Sequence, residues 1–206
     1  MLIKALMLSR ENLVTVTPCD TLKTALQKIN ERNFLSIPVV EGTKFHGIIS
    51  KEKIFEEFFE SNVEKKKYLE ERKVSELIRE DIPVLNPQDE IEKASHALEI
   101  YGTPFVAVID DDGIFEGIVT HYAIFQAFTD AVGINRGSKI EVIAYDIPGQ
   151  IAKLTEIIAR VGGDIISFVV LDPKVKTDVK EIVVRIRAEN VIRIVDAIRN
   201  AGFRVQ

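Results

Sequence analysis

Residues 12–59 and 81–128 carry the same pattern, and self-similarity at that period constrains the architecture before any single motif is weighed. Pro18 corresponds to Pro87, Asp20 to Asp89, Leu22 to Ile91, Ala25 to Ala94 and Ile29 to Leu98, at an offset of 69. Gly47 then corresponds to Gly117, Ser50 to Thr120 and Phe55 to Phe125, at an offset of 70. The single added residue falls most simply in the turn Asp110-Asp111-Asp112-Gly113.

Each copy reads the same way. A short strand, Val14–Val16 or Pro83–Leu85, ends near a proline, which cannot continue a paired strand. An aspartate, Asp20 or Asp89, is placed to cap a helix whose apolar residues recur at helical spacing, as in Leu22, Ala25, Leu26 and Ile29. A hairpin follows, Ile37–Val40 with Phe45–Ile49 and Phe105–Ile109 with Phe115–Val119. A second helix starts at Ser50 or Thr120. One such unit cannot cover both faces of its small sheet, whereas two packed together can.

The connector from Glu60 to Lys73 holds nine charges in fourteen residues, the pattern of a solvated helix or linker. After residues 131–137 the pattern changes. Ile140–Ala144 reads as a strand, Asp146–Gly149 as a turn, and Ile151, Leu154, Ile157, Ile158 and Val161 as one face of a helix stopped by Gly162-Gly163. Ile165–Leu171 and Val179–Arg187 read as strands, the second with Ile182, Val184 and Ile186 alternating against Val183, Arg185 and Arg187, so that one face is wet. A helix carrying Val191, Ile194, Val195 and Ile198 and a strand at Phe203–Val205 complete a βαββαβ order. The expected fold is α+β, with segments 1–60, 61–73, 74–130, 131–137 and 138–206. Charge divides at the same place: residues 138–206 hold 11 basic and 9 acidic residues, net +2, against −7 for the remainder.

A net charge of −5 argues against nucleic acid as the main partner. The one cysteine, Cys19, excludes an internal disulfide and a thiolate metal cluster. No apolar run is long enough to span a membrane, and the stretch Ala5–Leu8 is too short for a signal-peptide core, so a cytoplasmic protein is expected. No P-loop, G-x-S-x-G, G-x-G-x-x-G or metal triad occurs, which points away from an enzyme.

The order strand–Pro–x–Asp–helix, the strand Ile37-Pro38-Val39-Val40, and the run Gly-h-h-Ser/Thr before the second helix in both copies resemble a tandem pair of CBS domains, a Bateman module. The carboxy-terminal segment, with Asp146-x-Pro148-Gly149 and Gly163-Asp164-Ile165, resembles an ACT domain of ferredoxin-like fold. The combination is similar to bacterial CBS–ACT proteins that include an acetoin-utilisation regulator. The resemblance implies a regulatory protein without catalytic residues, metal or cofactor, holding an adenosine nucleotide between its two copies. It implies a cleft lined by Thr15, Ile37, Pro38, Gly47, Ser50 and Lys53 from the first copy and Val84, Ala107, Gly117, Thr120 and His121 from the second. It also implies a homodimer built by the second helices, where Phe55, Phe58, Phe59, Phe125 and Phe128 recur at helical spacing, and an output to a protein partner.

Ser50 and Thr120 are N-cap residues on any reading. The additional role is an anion site, where unpaired N–H groups and the helix dipole favour negative charge and glycine allows close approach. In nucleotide-binding relatives an aspartate three residues after the Ser/Thr grips the ribose; here Lys53 and Ala123 stand there. Lysine cannot accept a hydrogen bond but pairs with phosphate, so a phosphate grip is expected. In the ACT-like segment, Asp146 and Asp164 are placed to take an α-ammonium and the N–H groups at Gln150 and Ile151, after Gly149, a carboxylate. The alternative is that Asp146 is a turn residue and Asp164 a strand start. At the level of the whole chain two readings stand, a metabolite sensor and a dimeric scaffold that binds no metabolite.

Overall fold

The computed structural model describes residues 1–172 and 178–206. Its elements, in chain order, are β1 (Leu8–Ser9), α1 (Leu22–Glu31), β2 (Ser36–Glu41), β3 (Lys44–Ser50), α2 (Lys51–Glu60), α3 (Lys65–Glu71), β4 (Val84–Leu85), α4 (Ile91–Tyr101), β5 (Phe105–Ile109), β6 (Phe115–Thr120), α5 (His121–Val132), β7 (Ser138–Tyr145), α6 (Gln150–Arg160), β8 (Asp164–Leu171), β9 (Val179–Arg187), α7 (Val191–Asn200) and β10 (Arg204–Val205). They divide into two compact units, Met1–Phe125 and Gln126–Gln206.

In the first unit the duplication is spatial as well as sequential. Each hairpin, β2–β3 or β5–β6, is flanked on one side by its own copy's leading residue: Val16 bridges Val39 in parallel, as Val84 pairs with Ala107. On the other side it is flanked by a segment that precedes the other copy. Leu8 and Ser9 of β1 pair antiparallel with Ile118 and Gly117 of β6, and Arg79 bridges Ile48 of β3. The leading segments are therefore exchanged. The short 3-10 turns Ile3–Ala5 and Val74–Glu76 repeat the exchange: Ile3 N–H donates to Asp89 O and Val74 N–H to Asp20 O, both at 2.9 Å. Ile3 and Val74 are both fully buried.

A shared core lies where the hairpins meet. Val40 and Ile48 of the first copy pack with Phe105, Ala107, Phe115 and Ile118 of the second. Phe45 stacks on its counterpart Phe115, ring centroids 5.1 Å apart, as residues beside a pseudo-twofold axis must. Gly47 and Gly117 make the exchange possible. A Cβ on Gly47 would lie 2.3 Å from the carbonyl oxygen of Arg79, and one on Gly117 2.2 Å from that of Leu8. These glycines admit the exchanged backbone.

Several expectations are corrected. The strand expected at Val14–Val16 reduces to the bridge at Val16, because one residue suffices to flank β2. Asp20 and Asp89 do not cap helices. Each carboxylate accepts the N–H three residues earlier, from Thr17 and Asn86, both at 2.8 Å, and closes the loop after the proline. The cap of α1 is Thr21, which accepts from Thr24 N–H, and Glu90 precedes α4 without a side-chain cap. The charged connector is not wholly solvated: Tyr68 of α3 is buried and its hydroxyl donates to Ile54 O at 3.1 Å.

The second unit has the sheet order β10-β7-β9-β8, all neighbours antiparallel, the ferredoxin-like arrangement of a βαββαβ chain. Ile140, Val142, Ile182, Val184 and Ile186 of the sheet are buried with Leu154 and Ile158 of α6 and Ile194 and Ile198 of α7. Ile151 is not on the buried face, being 46% exposed, since the stripe that meets the sheet runs through Leu154 and Ile158. The last strand starts at Arg204, and Phe203 packs in the core before it.

Candidate functional site

Helix α2 starts where β3 ends, and Ser50 closes the junction by accepting the N–H of Lys53 at 3.0 Å. Thr120 does the same for α5 through Ala123 N–H at 3.2 Å. Two adjacent cavities open at the first junction. One, of about 540 Å³, is lined by Ser50, Glu52, Lys53, Glu56, Glu57, Arg72, Glu76 and Arg79 with Ile48, Leu77 and Ile78. The other, of about 720 Å³, is lined by Leu35, Ser36, Ile48, Ser50, Lys51, Glu52, Phe55 and Arg79 and, from the second copy, Gly102, Thr103, Pro104 and His121. Ile48, Ser50, Glu52 and Arg79 belong to both.

The charges of the first cavity largely satisfy one another. Lys53 pairs with Glu57 at 2.9 Å, and Glu57 holds the lysine's pKa above its ordinary value. Arg72 pairs with Glu76 at 2.8 Å, which raises the arginine and lowers the carboxyl, the latter chiefly through the Lys73 backbone N–H. The second cavity has a different character. Leu35, Ile48, Phe55 and Pro104 give it apolar walls, and Lys51 and Arg79 face one acid, Glu52. The Lys51 ammonium lies 5.9 Å from the Phe55 ring centroid and donates to Asn30 Oδ1 at 2.8 Å. Arg79 donates to Asp81 Oδ1 at 2.8 Å and to Tyr101 O at 3.3 Å; it holds the Asp81 carboxyl below its ordinary range.

Of the residues expected at the cleft, Ser50 and Lys53 line the first cavity and Ser50 and His121 the second. The His121 ring nitrogen Nδ1 lies 3.4 Å from Pro104 O. Ile37 and Ala107 are core residues, Pro38 is buried in β2, and Gly47 and Gly117 meet exchanged backbone. Thr15 is half-buried and its carbonyl accepts from Lys28 Nζ at 2.8 Å. Val84 is exposed on β4. Arg79 was not foreseen. Its signal is a third correspondence, at an offset of 71, in which Ile3, Leu6 and Met7 match Val74, Leu77 and Ile78 and which puts Leu8 opposite Arg79.

In the second unit, Asp146 and Asp164 do not converge within one chain. Asp164 pairs with Arg187 and Tyr145 with Val179, at opposite ends of β9, so the two carboxylates lie roughly 27 Å apart along the strand direction. Lys180 pairs with Asp146 at 3.4 Å, which raises the lysine's pKa, and Arg187 pairs with Asp164 at 3.3 Å. Gly149 precedes α6 in the left-handed conformation, φ 88°. Gln150 lines a cavity of about 220 Å³ with Ile143, Tyr145, Phe203 and Arg204; Ile151 is exposed. Among the described residues no group of three His, Cys, Asp or Glu side chains is placed to hold a metal, and no helix is long and apolar enough to cross a membrane.

Residues 3–60 and 74–130 match the family model of the CBS domain, more than half of the chain. Similar solved structures include a CBS domain-containing protein of unknown function from Bacillus anthracis, 32% identical with a TM-score of 0.57, covering 63% of this chain and 93% of that one. The CbpB protein of Listeria monocytogenes in complex with c-di-AMP is 29% identical with a TM-score of 0.56, covering 65% and 98%. A CBS domain pair/ACT domain protein from Thermotoga maritima is 18% identical with a TM-score of 0.52, covering 64% and 99%, and shows a likeness of fold.

Proposed function

The chain belongs to the CBS domain family, and from that premise we propose that it is a ligand-sensing regulator that binds an adenine nucleotide at the start of α2 and passes the occupied state to a partner protein. The observation that carries this reading is the pair of cavities sharing Ser50 and Arg79, one of which combines apolar walls with cationic side chains. An apolar wall suits a purine face, and a guanidinium beside a hydroxyl suits phosphate. The CbpB relative, whose structure holds c-di-AMP, supports the same ligand class.

The second unit serves as an ACT-type effector domain in this reading, the arrangement of the CBS–ACT regulators of the acetoin-utilisation type. Asp146, Gly149, Gln150 and Ile151 at one end of the sheet and Asp164 at the other form separate halves of an effector site within each chain. A second copy completes such a site and also covers the aromatic side chains that α2 and α5 leave exposed, among them Phe59, Tyr122, Phe125 and Phe128. A ligand shifts such an assembly only by its differential affinity for two packings.

A thermal-shift screen of the full chain against AMP, ATP, c-di-AMP and amino acids tests the reading. Binding to the native state raises the melting temperature, by about 2.7 kcal/mol of added stability at a ligand concentration of 100 Kd. A flat response to every nucleotide at millimolar concentration removes the sensor and leaves the interaction scaffold.

A further inference from the structure

The two copies are not equivalent at their clefts, and the exchanged segments make the difference. Opposite the start of α2 the exchanged segment brings Arg79; opposite the start of α5 it brings Leu8. The position three residues after the cap holds Lys53 in the first copy and Ala123 in the second. Ala123 and Met7 pack against a buried cluster of Ile3, Ala94, Val108 and Val119. The second junction thus presents apolar side chains, Leu8 and Ala123, where the first presents Arg79 and Lys53 beside two cavities.

Arg79 is placed by its backbone, and its guanidinium donates to Asp81 and to Tyr101 O. Ile48 N–H donates to Arg79 O at 3.0 Å and Arg79 N–H to Ile48 O at 2.9 Å. The guanidinium is held on the outside by Asp81, whose side chain is 73% exposed. A surface pair of this kind is worth little, and a phosphate offers the same forked geometry with more charge. Lys53, by contrast, is already matched by Glu57 within a cavity that also contains Glu52, Glu56 and Glu76.

Resting on the nucleotide-binding reading above, we propose that Arg79 is the phosphate-binding and specificity-determining residue of a single nucleotide cleft per chain, with the phosphate on the Lys51–His121 side of the guanidinium, and that the second copy's cleft takes no nucleotide. Family resemblance directs attention to the residue three positions after the cap. The exchanged segment transfers that part to a residue from the far side of the cleft.

Calorimetric titration of the full chain with AMP and c-di-AMP, with adenosine as the phosphate-free control, tests the assignment. No more than one nucleotide per chain is expected, bound more tightly than adenosine. Arg79→Gln is expected to weaken nucleotide binding roughly tenfold or more, the scale of a lost charge-assisted hydrogen bond, while leaving adenosine unchanged; Arg79→Lys recovers part of the loss. Two nucleotides per wild-type chain, or nucleotide binding by Arg79→Gln at wild-type strength, overturns the assignment and leaves the sensor reading standing. If the wild-type chain binds neither nucleotide, both fall.

Discussion

At position 117 the backbone has no room for a methyl group, because a Cβ there would meet the Leu8 carbonyl oxygen at 2.2 Å. Gly117 does not have a positive φ, so alanine tests the steric approach alone. Gly117→Ala is expected to cost about 1–3 kcal/mol, the range for forcing atoms into a filled site, measured by urea denaturation against wild type. Gly42→Ala, where nothing lies within 4 Å but φ is +61°, is expected to cost about 1 kcal/mol for the left-handed backbone alone. Asp89 gives a second test. Its carboxylate accepts from Lys93 Nζ and from Asn86 N–H, and these partners hold its pKa below the ordinary value, the lysine first. A depressed carboxyl pKa contributes stability that is complete above the unfolded-state value and is lost as pH falls through the folded one. Asp89→Ala should therefore lose about 1 kcal/mol near neutrality, with the difference from wild type vanishing in acid; a pH series of denaturation curves reads it. The sequence pattern placed Asp20 and Asp89 at the helix starts but could not tell a cap from a loop closure. Both use the same residue type within one turn of the same helix, and the choice depends on which N–H the backbone presents.

The long elements were legible because their periodicity is paid for by burial on one face: Leu22, Ala25 and Ile29 of α1 are fully buried, and both hairpins follow their apolar runs. The exchanged segments were not. A bridge of one or two residues, as at Leu8–Ser9 or Arg79, carries no period, and its partner lies more than thirty residues away in sequence or in the other copy altogether. Tyr68 was hidden for a related reason: one buried ring among nine charges leaves no stripe. The exchange makes a test at the same scale. Ile3 is fully buried beneath the second copy, in contact with Ala94, Val108 and Val119, though it lies at the start of the chain. Ile3→Ala is expected to cost about 2–5 kcal/mol, whereas an unpaired amino-terminal tail would tolerate it. Denaturation midpoints of Ile3→Ala and of the exposed control Leu2→Ala separate the two cases.

At the scale of the chain, the structure divides into two compact units, Met1–Phe125 and Gln126–Gln206, and the second has a hydrophobic cluster of its own. Among the described residues the second unit's core lies between Ile140 and Val205, and its sheet is covered by its own two helices. A segment of this size buries a smaller share of its surface than a larger domain does, but a four-stranded sheet covered by two helices exceeds what an isolated hairpin can stabilise. The fragment 126–206 is accordingly expected to unfold cooperatively by circular dichroism. In the full chain, AMP should raise the transition that belongs to residues 1–125. If hydrogen exchange then shows protection rising in 126–206 as well, the two units are energetically coupled. By linkage a ligand of the second unit must in that case tighten AMP by the same factor that AMP tightens it. Protection confined to 1–125 would make the second unit an independent module, and the output of the nucleotide cleft would have to leave through the first unit's own surface.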